Sequence, residues 1–232
     1  MKRKIVTTSD GSKTIQIEDW NEQYHSLHGA IQEANHVFLK HGLLFYCEIN
    51  GYTEFNLESN PISILEIGFG TGLNAFLTLI KAEEHNLNIN YVGVEAYPVT
   101  LDEIKQLNYI ELISDRHASE FTKMHDSSWE EVHCITSSFQ LEKQQQFFKD
   151  IKAENIFNII YFDAFGARVQ PELWTEDIFK IMYTALKKNG VLVTYAAKGS
   201  VRRAMQSVGF VVERLPGPPG KREMLRAQKK EM

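Results

Sequence analysis

The chain has 232 residues, and its composition is that of an ordinary globular protein, with 43% hydrophobic and 24% charged residues. This balance excludes an intrinsically disordered or fibrous chain. No run of 18 apolar residues occurs, so no membrane-spanning helix is expected, and the first residues lack the apolar core of a signal peptide. The two cysteines, Cys47 and Cys134, are far apart, which excludes a disulfide framework and favours a reduced, cytoplasmic setting.

Basic charge is concentrated at the C-terminal end, although the whole chain has a net charge of −5. Residues 198–232 contain nine lysines and arginines against three acidic residues, so this segment has a net charge of +6. Such asymmetry favours a local anionic partner. The alternative is a solvated basic tail, or, for some of Arg202, Arg203 and Arg222, ion pairs with Glu213 or Glu223.

The first 60 residues carry weaker structural signals than the rest of the chain. Residues 1–20 alternate loosely between apolar and polar side chains, as in a hairpin strand. Residues 22–39 have apolar side chains near helical spacing, and Gly42 is expected to end that helix. We interpret residues 1–60 as an N-terminal extension that packs on a core domain formed by residues 61–232.

Strands and helices alternate from Pro61 onwards. Short apolar runs that stop at glycines or acids are typical of buried parallel strands, and apolar residues at i, i+3, i+4 and i+7 predict helices between them. This alternation predicts an α/β sheet with helices on both faces, and the last two strands, joined only by a loop, should pair antiparallel. The predicted strands are 62–67, 90–94, 132–135, 156–162, 191–195, 210–214 and 223–227, with helices from Leu73, from Ile178 to Asn189-Gly190, and from Val201 to Gly209.

A glycine-rich turn joins the first strand of this core to its first helix. The glycines of Glu66-Ile67-Gly68-Phe69-Gly70-Thr71-Gly72-Leu73-Asn74 stand at alternate positions, which lets the backbone approach a ligand closely. The turn also places amide groups and a helix N-terminus beside that ligand. The spacing differs from the G-x-G-x-x-G of nicotinamide dehydrogenases and, with an acid two residues before the first glycine, resembles the S-adenosylmethionine loop of class I methyltransferases.

Two acidic residues end strands on either side of this turn. Glu95 follows the second predicted strand, where a carboxylate can accept hydrogen bonds from both hydroxyls of a ribose. Asp163 follows the fourth, which should lie next to the first strand across the switch point where open α/β sheets bind ligands. A carboxylate there can orient an amine nucleophile or take its proton. The alternatives are a loop residue for Glu95 and a turn or helix cap for Asp163.

Further motifs make the functional prediction more specific. They are Asp19-Trp20-Asn21-Glu22-Gln23-Tyr24-His25-Ser26, Phe162-Asp163-Ala164-Phe165 with Pro171-Glu172-Leu173-Trp174-Thr175, Thr194-Tyr195 with Gly199-Ser200-Val201-Arg202-Arg203 and Gly209-Phe210, and Pro216-Gly217-Pro218-Pro219-Gly220-Lys221-Arg222-Glu223-Met224-Leu225. With the glycine turn, they resemble the methyltransferase of the MnmC/MnmD family, which makes the 5-methylaminomethyl group of the wobble uridine in certain tRNAs. In that family the methyltransferase is fused to an FAD-dependent oxidase or stands alone, and 232 residues suit the stand-alone form.

The resemblance implies a fold, a cofactor and a partner. The fold is the Rossmann-like sheet of class I methyltransferases, mostly parallel with a C-terminal antiparallel strand, the cofactor is S-adenosylmethionine, and the partner is the anticodon stem-loop of tRNA. Asp163 is the candidate catalytic residue, either as a base or as a group that only orients the amine while water takes the proton. The candidates for cofactor binding are Glu66, Gly68, Phe69, Gly70, Thr71, Gly72, Asn74 and Glu95.

The candidates for substrate binding are Asp19, Tyr24, Phe165, Arg202, Arg203, Lys221 and Arg222. The four basic residues among them would hold anticodon-loop phosphates around a flipped wobble base. Asp19 and Tyr24 would lie over the reacting amine, with structural packing or a turn as the alternative. Phe69 and Phe165 would contact the base or adenine, and packing in the core is an equal alternative for both.

The sequence departs from the family pattern in two places. Relatives often carry an acidic residue after the third strand that holds the adenine amino group, whereas the stretch expected there, 135–139, has none, and a serine hydroxyl would have to serve. Residues 166–170 read Gly-Ala-Arg-Val-Gln, where relatives often have alanine-proline and then a lysine-containing loop. The substrate side of the site therefore rests on weaker sequence evidence than the cofactor side.

Two other functions would use the same sheet. A class I methyltransferase or aminopropyl-type transferase acting on a small amine would need the cofactor turn but not the basic C-terminal end. A binding module that keeps the fold without catalysis is the third possibility, and it is disfavoured by the intact site residues Glu66, Gly68, Gly70, Gly72, Glu95 and Asp163. No metal site is expected, because His25 and His28 have no third ligand at metal-binding spacing.

Overall fold

The computed structural model describes residues 2–52 and 60–230. Glu231, one of the three acidic residues counted in the C-terminal segment, lies outside these ranges. Within them, no helix has both the length and the apolar character needed to cross a membrane. The described residues form a three-stranded sheet near the N-terminus and an eight-stranded sheet in the rest of the chain.

The elements are numbered in chain order. The strands are β1 (Arg3–Thr7), β2 (Lys13–Ile17), β3 (Glu22–Gln23), β4 (Ile62–Ile67), β5 (Ile89–Val94), β6 (Val132–Thr136), β7 (Phe139–Gln144), β8 (Phe157–Phe162), β9 (Leu186–Thr194), β10 (Val211–Pro216) and β11 (Glu223–Gln228). The α-helices are α1 (Ala30–Ala34), α2 (Phe45–Ile49), α3 (Leu73–Glu84), α4 (Leu101–Ile104), α5 (Tyr109–Ile113), α6 (Ala118–Asp126), α7 (Glu176–Ala185) and α8 (Gly199–Ser207). A π-helical segment, Asn35–Leu44, joins α1 to α2, and short 3-10 helices span Glu18–Trp20, Asp115–His117, Phe148–Asp150 and Pro171–Trp174.

The eight-stranded sheet has the order β10-β11-β9-β8-β4-β5-β7-β6. Strand β4 pairs in parallel with β5 and β8, and β8 pairs in parallel with β9. Strand β11 is inserted antiparallel between β9 and β10, as predicted for two strands joined without a helix. The expected mostly parallel α/β fold with a C-terminal antiparallel strand is therefore confirmed.

Side chains of β4 alternate between the two faces of the sheet. Ile62 and Ile64 belong to one buried cluster, which packs under α3 and the N-terminal helices, while Leu65 and Ile67 belong to the other, which packs under α7 and α8. A strand buried on both faces reads as a continuous apolar run, which is why the sequence identified it. The carboxyl end of this strand lies at the centre of the sheet.

The N-terminal hairpin is confirmed, but the end predicted for the following helix is wrong. Strands β1 and β2 pair antiparallel, and the helical stretch then continues through Gly42 to Ile49. A β-carbon at Gly42 would lie 3.0 Å from Val193 and 3.1 Å from Tyr161. Glycine is needed here because the helix crosses the sheet closely, and this packing offsets the cost of about 1 kcal/mol that glycine imposes on a helix interior.

The expectation that residues 135–139 follow the third parallel strand is also wrong. The strand that pairs in parallel with β5 is β7, and β6 is an antiparallel edge strand beyond it. Residues 137–138 are therefore a hairpin turn at the end of the sheet where β5 begins, and the Ile89 N–H donates to the Ser138 carbonyl at 2.8 Å. The segment at the carboxyl edge is the one after Gln144, with Phe147 and Phe148.

Helix α7 ends earlier than the sequence indicated. Thr175 begins it by accepting a hydrogen bond from the Ile178 N–H, and Glu176 and Asp177 in the first turn favour this end of the helix dipole. The helix ends at Ala185, and Asn189 and Gly190 lie within β9 instead. The long strand continues the chain directly from the helix to the carboxyl edge of the sheet.

Candidate active site

The glycine turn follows β4 at the centre of the carboxyl edge. Gly68, Gly70 and Gly72 have φ angles of 91°, 50° and 72°, in the left-handed region that glycine tolerates. The N–H groups of Gly68 and Phe69 both donate to the Val94 carbonyl at 3.0 Å, which fixes the turn against the end of β5. A β-carbon on Gly68 would lie 2.8 Å from the Asp163 carbonyl oxygen, so this glycine lets β4 and β8 end side by side.

One amide group joins the two carboxylates nearest this turn. The Asn74 side-chain nitrogen donates at 2.8 Å to the Glu66 carboxylate and at 2.8 Å to the Asp163 carboxylate. Glu66 is 1% exposed and also accepts a hydrogen bond from the Tyr91 hydroxyl at 2.9 Å. Burial raises the pKa of Glu66 well above its usual range. Asn74 therefore links the residue beneath the cofactor turn to the candidate catalytic residue.

The environment of Asp163 keeps its carboxyl group in a reactive range. Burial and, second to it, the charge of Glu33 raise its pKa to about 7, against the opposing effects of the hydrogen bond from Asn74 and the charge of Lys221. A carboxyl group with a pKa near neutrality can exchange a proton at physiological pH. Such a group at the end of a central strand is typical of a catalytic position.

Glu95 follows β5 and holds the glycine turn from the other side. Its carboxylate accepts the Gly70 N–H at 3.1 Å and the Tyr97 N–H at 2.9 Å. Burial is the main cause that raises its pKa, and the two backbone hydrogen bonds oppose this. The oxygens of this carboxylate thus lie beside the turn at the switch point of the sheet, where a nucleoside ribose binds in open α/β folds.

A cavity of about 1090 Å³ opens over these residues. This volume is at the upper limit for a single small-ligand pocket, so it can hold a nucleoside-sized cofactor together with a second group. Of the sequence candidates, eleven line it: Tyr24, Gly68, Phe69, Gly70, Thr71, Asn74, Glu95, Asp163, Phe165, Lys221 and Arg222. Their binding roles stay predictions.

An aromatic wall borders the cavity on the side of Asp163. The Tyr24 and Phe165 rings meet edge to face with centroids 4.9 Å apart, and Trp20 contacts Phe165 in the same way at 5.6 Å. Phe69, in contrast, has a buried ring that packs against Gly93 and Trp129. The backbone of Phe69 faces the cavity, whereas its ring packs in the core. Core packing, rather than contact with a ligand, therefore explains the ring.

The two basic candidates that line the cavity differ in their surroundings. Lys221 forms an ion pair with Glu33, and its ammonium lies 3.8 Å from the Tyr195 ring centroid. Arg222 is exposed at the rim. Lys198, which is not among the predicted substrate-binding residues, is exposed there as well. Lys221 is thus part of the cavity wall, whereas Arg222 and Lys198 are placed to meet an anionic partner from solvent.

Five sequence candidates do not line the cavity. Glu66 lies beneath the turn, and Gly72 faces the His125 ring, 3.0 Å from where its β-carbon would be. Asp19 is exposed on the 3-10 helix after β2, where its carboxylate accepts the Lys2 N–H at 3.3 Å, so it does not reach the reacting centre. Arg202 and Arg203 lie on α8 outside the cavity.

Sequence reasoning missed several residues that the structure brings to the cavity. Tyr195 follows β9 at the carboxyl edge, and the strand-end rule that selected Glu95 and Asp163 would also have found it. Phe147 follows β7, the strand that was not predicted. Glu33 lies on α1 and belongs to no recognisable motif. Its partner Lys221 is 188 residues away in the chain, so no local pattern connects the two.

Glu213 and Glu223 form ion pairs among the described residues, but with arginines other than the candidates Arg202, Arg203 and Arg222. Arg226 contacts Glu213 at 2.7 Å, and Arg214 contacts Glu223 at 3.7 Å. In the loop that departs from the family pattern, Arg168 donates to the Glu22 carboxylate at 2.8 Å. It also donates to the Trp20 and Asn21 carbonyls, which ties this loop to the N-terminal region.

Comparison with known proteins gives this site a chemical context. Residues 122–230 match the model of a family of S-adenosyl-L-methionine-dependent methyltransferases. The match confirms the cofactor expected from the glycine turn. The features that bear on it are the glycine backbone, the Glu95 carboxylate and the buried Asn74 side-chain oxygen, which has no hydrogen-bond partner among the described residues.

Individual relatives of this chain support the resemblance stated from its motifs. The MnmC protein of Leptospira interrogans, a tRNA 5-methylaminomethyl-2-thiouridine biosynthesis bifunctional protein, is 28% identical over 90% of this chain. This chain spans 32% of that protein's length. MnmC2 from Aquifex aeolicus superposes with a TM-score of 0.73 at 24% identity, covering 97% of this chain and 70% of that one.

A second solved structure, spermidine synthase from Thermotoga maritima, has a TM-score of 0.50 at 15% identity, covering 99% of this chain and 72% of that one. At these identities the two structures show a shared fold. The sheet order and the switch-point cavity of this chain agree with that fold.

We expect Glu95→Gln to weaken binding of S-adenosylmethionine about 10- to 100-fold, because glutamine keeps one acceptor oxygen for the turn but loses the charged pair of acceptors for a ribose. Calorimetric titration with S-adenosylhomocysteine measures this. Glu84→Gln, at an exposed ion pair on α3, is the matched control and should leave the affinity unchanged. Unchanged affinity in Glu95→Gln would limit Glu95 to holding the turn.

Proposed function

We propose that this protein methylates the primary amine of a 5-aminomethyl or 5-aminomethyl-2-thio uridine at the wobble position of tRNA, in the cytoplasm, to give the 5-methylaminomethyl group. The observation that carries the proposal is the position of Asp163, which lies between the cofactor turn and an aromatic wall within one cavity. The Leptospira relative described above is a tRNA 5-methylaminomethyl-2-thiouridine biosynthesis protein.

The reaction requires a neutral amine close to the cofactor. When bound, S-adenosylmethionine supplies a methyl group on a sulfonium, so that a C–N bond forms as the C–S bond breaks and its electron pair returns to sulfur. A free alkylamine is mostly protonated at pH 7, so the site must favour the neutral form or receive its proton. Asp163 can accept a hydrogen bond from the amine, and its carboxylate can take the proton that the methylated nitrogen releases.

The rest of the cavity suits a nucleobase that has left its stack. Tyr24, Trp20 and Phe165 provide aromatic surface beside Asp163, and aromatic side chains commonly hold extruded bases. Lys198 and Arg222 at the rim are exposed, so they can contact phosphates of the anticodon loop. Positioning of the amine by these contacts would supply much of the rate enhancement.

Transfer of labelled methyl from S-adenosylmethionine tests the proposal directly. The substrates are tRNA carrying the 5-aminomethyl wobble uridine, unmodified tRNA, and polyamines. We expect label on the aminomethyl tRNA alone, recovered after nuclease digestion as the 5-methylaminomethyl nucleoside. Label on polyamines alone would favour the small-amine transferase, and no label despite tight cofactor binding would favour the binding module.

The raised pKa of Asp163 predicts how the rate depends on pH. Below a pH of about 7 the carboxyl group is protonated and cannot accept the amine proton, so kcat/KM should fall as the pH drops through this value. Ionisation of the substrate amine adds a second rise at higher pH. The pH profile of Asp163→Asn separates these two ionisations, because in this variant only ionisation of the substrate amine should still change kcat/KM.

A further inference from the structure

A partly buried ion pair in the cavity wall joins the two ends of the chain. Glu33 on α1 is 7% exposed and contacts the ammonium of Lys221, which lies in the loop between β10 and β11. Each partner has a second contact, because the Glu33 carboxylate accepts the Ser26 N–H at 2.9 Å and Lys221 lies 3.8 Å from the Tyr195 ring centroid. The positions of both charges are therefore fixed.

The segments that carry this pair are held together by other contacts. The His36 ring nitrogen is 2.9 Å from the Pro216 carbonyl, at the start of the same loop. A β-carbon at Gly220 would lie 2.1 Å from the His28 ring, so the loop lies directly against the segment before α1. These contacts keep the loop in place when the charge of Glu33 or Lys221 is removed by substitution.

Both charges act on Asp163. The two residues line the same cavity as Asp163, and the Tyr195 hydroxyl, beneath Lys221, donates to the carbonyl of Ala164 at 2.8 Å. Glu33 raises the pKa of Asp163, and Lys221 lowers it. The other groups that face Asp163 are Glu66 and Tyr91 from β4 and β5, Tyr109 from α5, Tyr195 from β9 and the amide of Asn74 from α3.

Stability alone does not account for the pair. Burial of the Glu33 carboxylate costs free energy that an ion pair often fails to recover, and the Lys221 side chain stays 30% exposed, so the pair is weak evidence of a stabilising role. Two opposite charges beside a reactive carboxylate do have a definite electrostatic effect, since each changes how readily that carboxylate binds a proton. Glu33 and Lys221 are charged residues of the cavity wall that shift the pKa of Asp163 in opposite directions.

We propose that Glu33 and Lys221 are positioning residues for Asp163, whose paired charges, held in the wall of the same cavity, govern proton transfer between the substrate amine and the Asp163 carboxylate. The inference rests on the proposed function, in which Asp163 faces the substrate amine. After methyl transfer, an N–H bond of the secondary ammonium breaks, its electron pair stays on nitrogen, and the proton moves to a carboxylate oxygen of Asp163. Glu33 favours this protonated form, and Lys221 favours its later release.

The test is a titration of the Asp163 carboxyl carbon by NMR in the full chain, labelled with 13C at aspartate and assigned by comparison with Asp163→Asn. Lys221→Met keeps the length of the side chain over Tyr195 and should raise the midpoint. Glu33→Gln keeps an acceptor for the Ser26 N–H and should lower it. We expect shifts of about half a pH unit or more in each direction.

Further variants separate charge from structure. The double variant should return the midpoint towards that of the wild type, and Lys221→Arg, which keeps the charge, should leave it near the wild-type value. Glu213→Gln breaks the ion pair with Arg226 away from the cavity and should not change the midpoint. Unmoved midpoints, or shifts of the same sign in both single variants, would overturn the proposal. If Lys221→Met does not fold, the other two single variants still test the proposal. Glu33→Gln should lower the midpoint, and Lys221→Arg should leave it unchanged.

The titration needs neither tRNA nor cofactor, so its outcome is independent of the methyl-transfer assay. A wild-type protein that methylates no tRNA would refute the proposed function while the midpoints still report on the pair. Conversely, an active enzyme with unmoved midpoints would refute the pair's role alone. In an active enzyme, the acid limb of kcat/KM should move with the NMR midpoint in each variant.

Discussion

Replacing Asp163 by asparagine should lower kcat for methyl transfer to aminomethyl tRNA by about 10²- to 10⁴-fold. Asparagine has the same shape and can still accept the Asn74 N–H through its amide oxygen. It cannot take a proton from the methylated amine, and it lacks the charge that orients the amine. The affinity for S-adenosylhomocysteine should change by only a few fold, because Glu95 and the glycine turn are unaltered.

The same substitution should stabilise the fold at alkaline pH. The pKa of Asp163 is about 7 in the folded protein and near 3.8 in an unfolded chain, so between these values the folded state holds a proton that the unfolded state has released. Stability therefore falls as the pH rises through this window. Above a pH of about 7 the wild type carries the full penalty, and Asp163→Asn should exceed it by about 1–3 kcal/mol in free energy of unfolding.

Denaturant unfolding at pH 8 and pH 5 measures this difference, which should be smaller at pH 5. Asp177→Asn, on the exposed first turn of α7, is the control for both stability and activity and should resemble the wild type in kcat. A variant that loses activity and stability together would indicate a structural role for Asp163. Full activity in Asp163→Asn would leave proton removal to water.

The cofactor side of the site could be predicted because its signals are local. Strand β4, the glycine turn and α3 are continuous in sequence, and each has its own pattern of apolar residues or glycines. Glu95 and Asp163 follow strands, and the strand order of a doubly wound sheet places the ends of such strands beside the turn. Each of these predictions needed only the pattern of one local segment and one general rule of α/β folds.

The elements that were predicted wrongly depend on contacts with distant parts of the chain. Strand β7 alternates apolar residues with Gln140, Glu142 and Gln144, and the buried Lys143 interrupts the pattern. Its neighbour β5 supplies the pairing that stabilises it, so a polar sequence still forms a parallel strand. The helix through Gly42 likewise depends on Tyr161 and Val193, which are more than one hundred residues away.

The substrate side was predicted only in part for the same reason. Tyr24 and Phe165 reach the cavity, but Asp19, only five residues before Tyr24, lies on an exposed 3-10 helix because the chain turns at Asn21 with a φ of 46°. Glu33 and Lys221 meet only after both ends of the chain have folded onto the sheet. A motif identifies residues that share a function, but their geometry comes from the assembled fold.

Gly68→Ala should damage cofactor binding and transfer together. The φ of 91° at this position costs about 1 kcal/mol with any side chain, and the new β-carbon would lie 2.8 Å from the Asp163 carbonyl oxygen. Because that oxygen belongs to the backbone, the ends of β4 and β8 must move apart. We expect a loss of about 2–4 kcal/mol in free energy of unfolding and a loss of about 100-fold or more in kcat/KM.

Gly11→Ala is the matched control. Gly11 has a φ of 84°, close to that of Gly68, and no atom lies within 4 Å of where its β-carbon would be. It lies in the exposed turn between β1 and β2, so its substitution should cost about 1 kcal/mol through backbone conformation alone and leave kcat/KM unchanged. The difference between the two variants measures the contact at Asp163. Equal losses of stability with full activity in both would show that the carboxyl edge tolerates the displacement, and would contradict the view that the spacing of β4 and β8 positions Asp163 beside the cofactor turn.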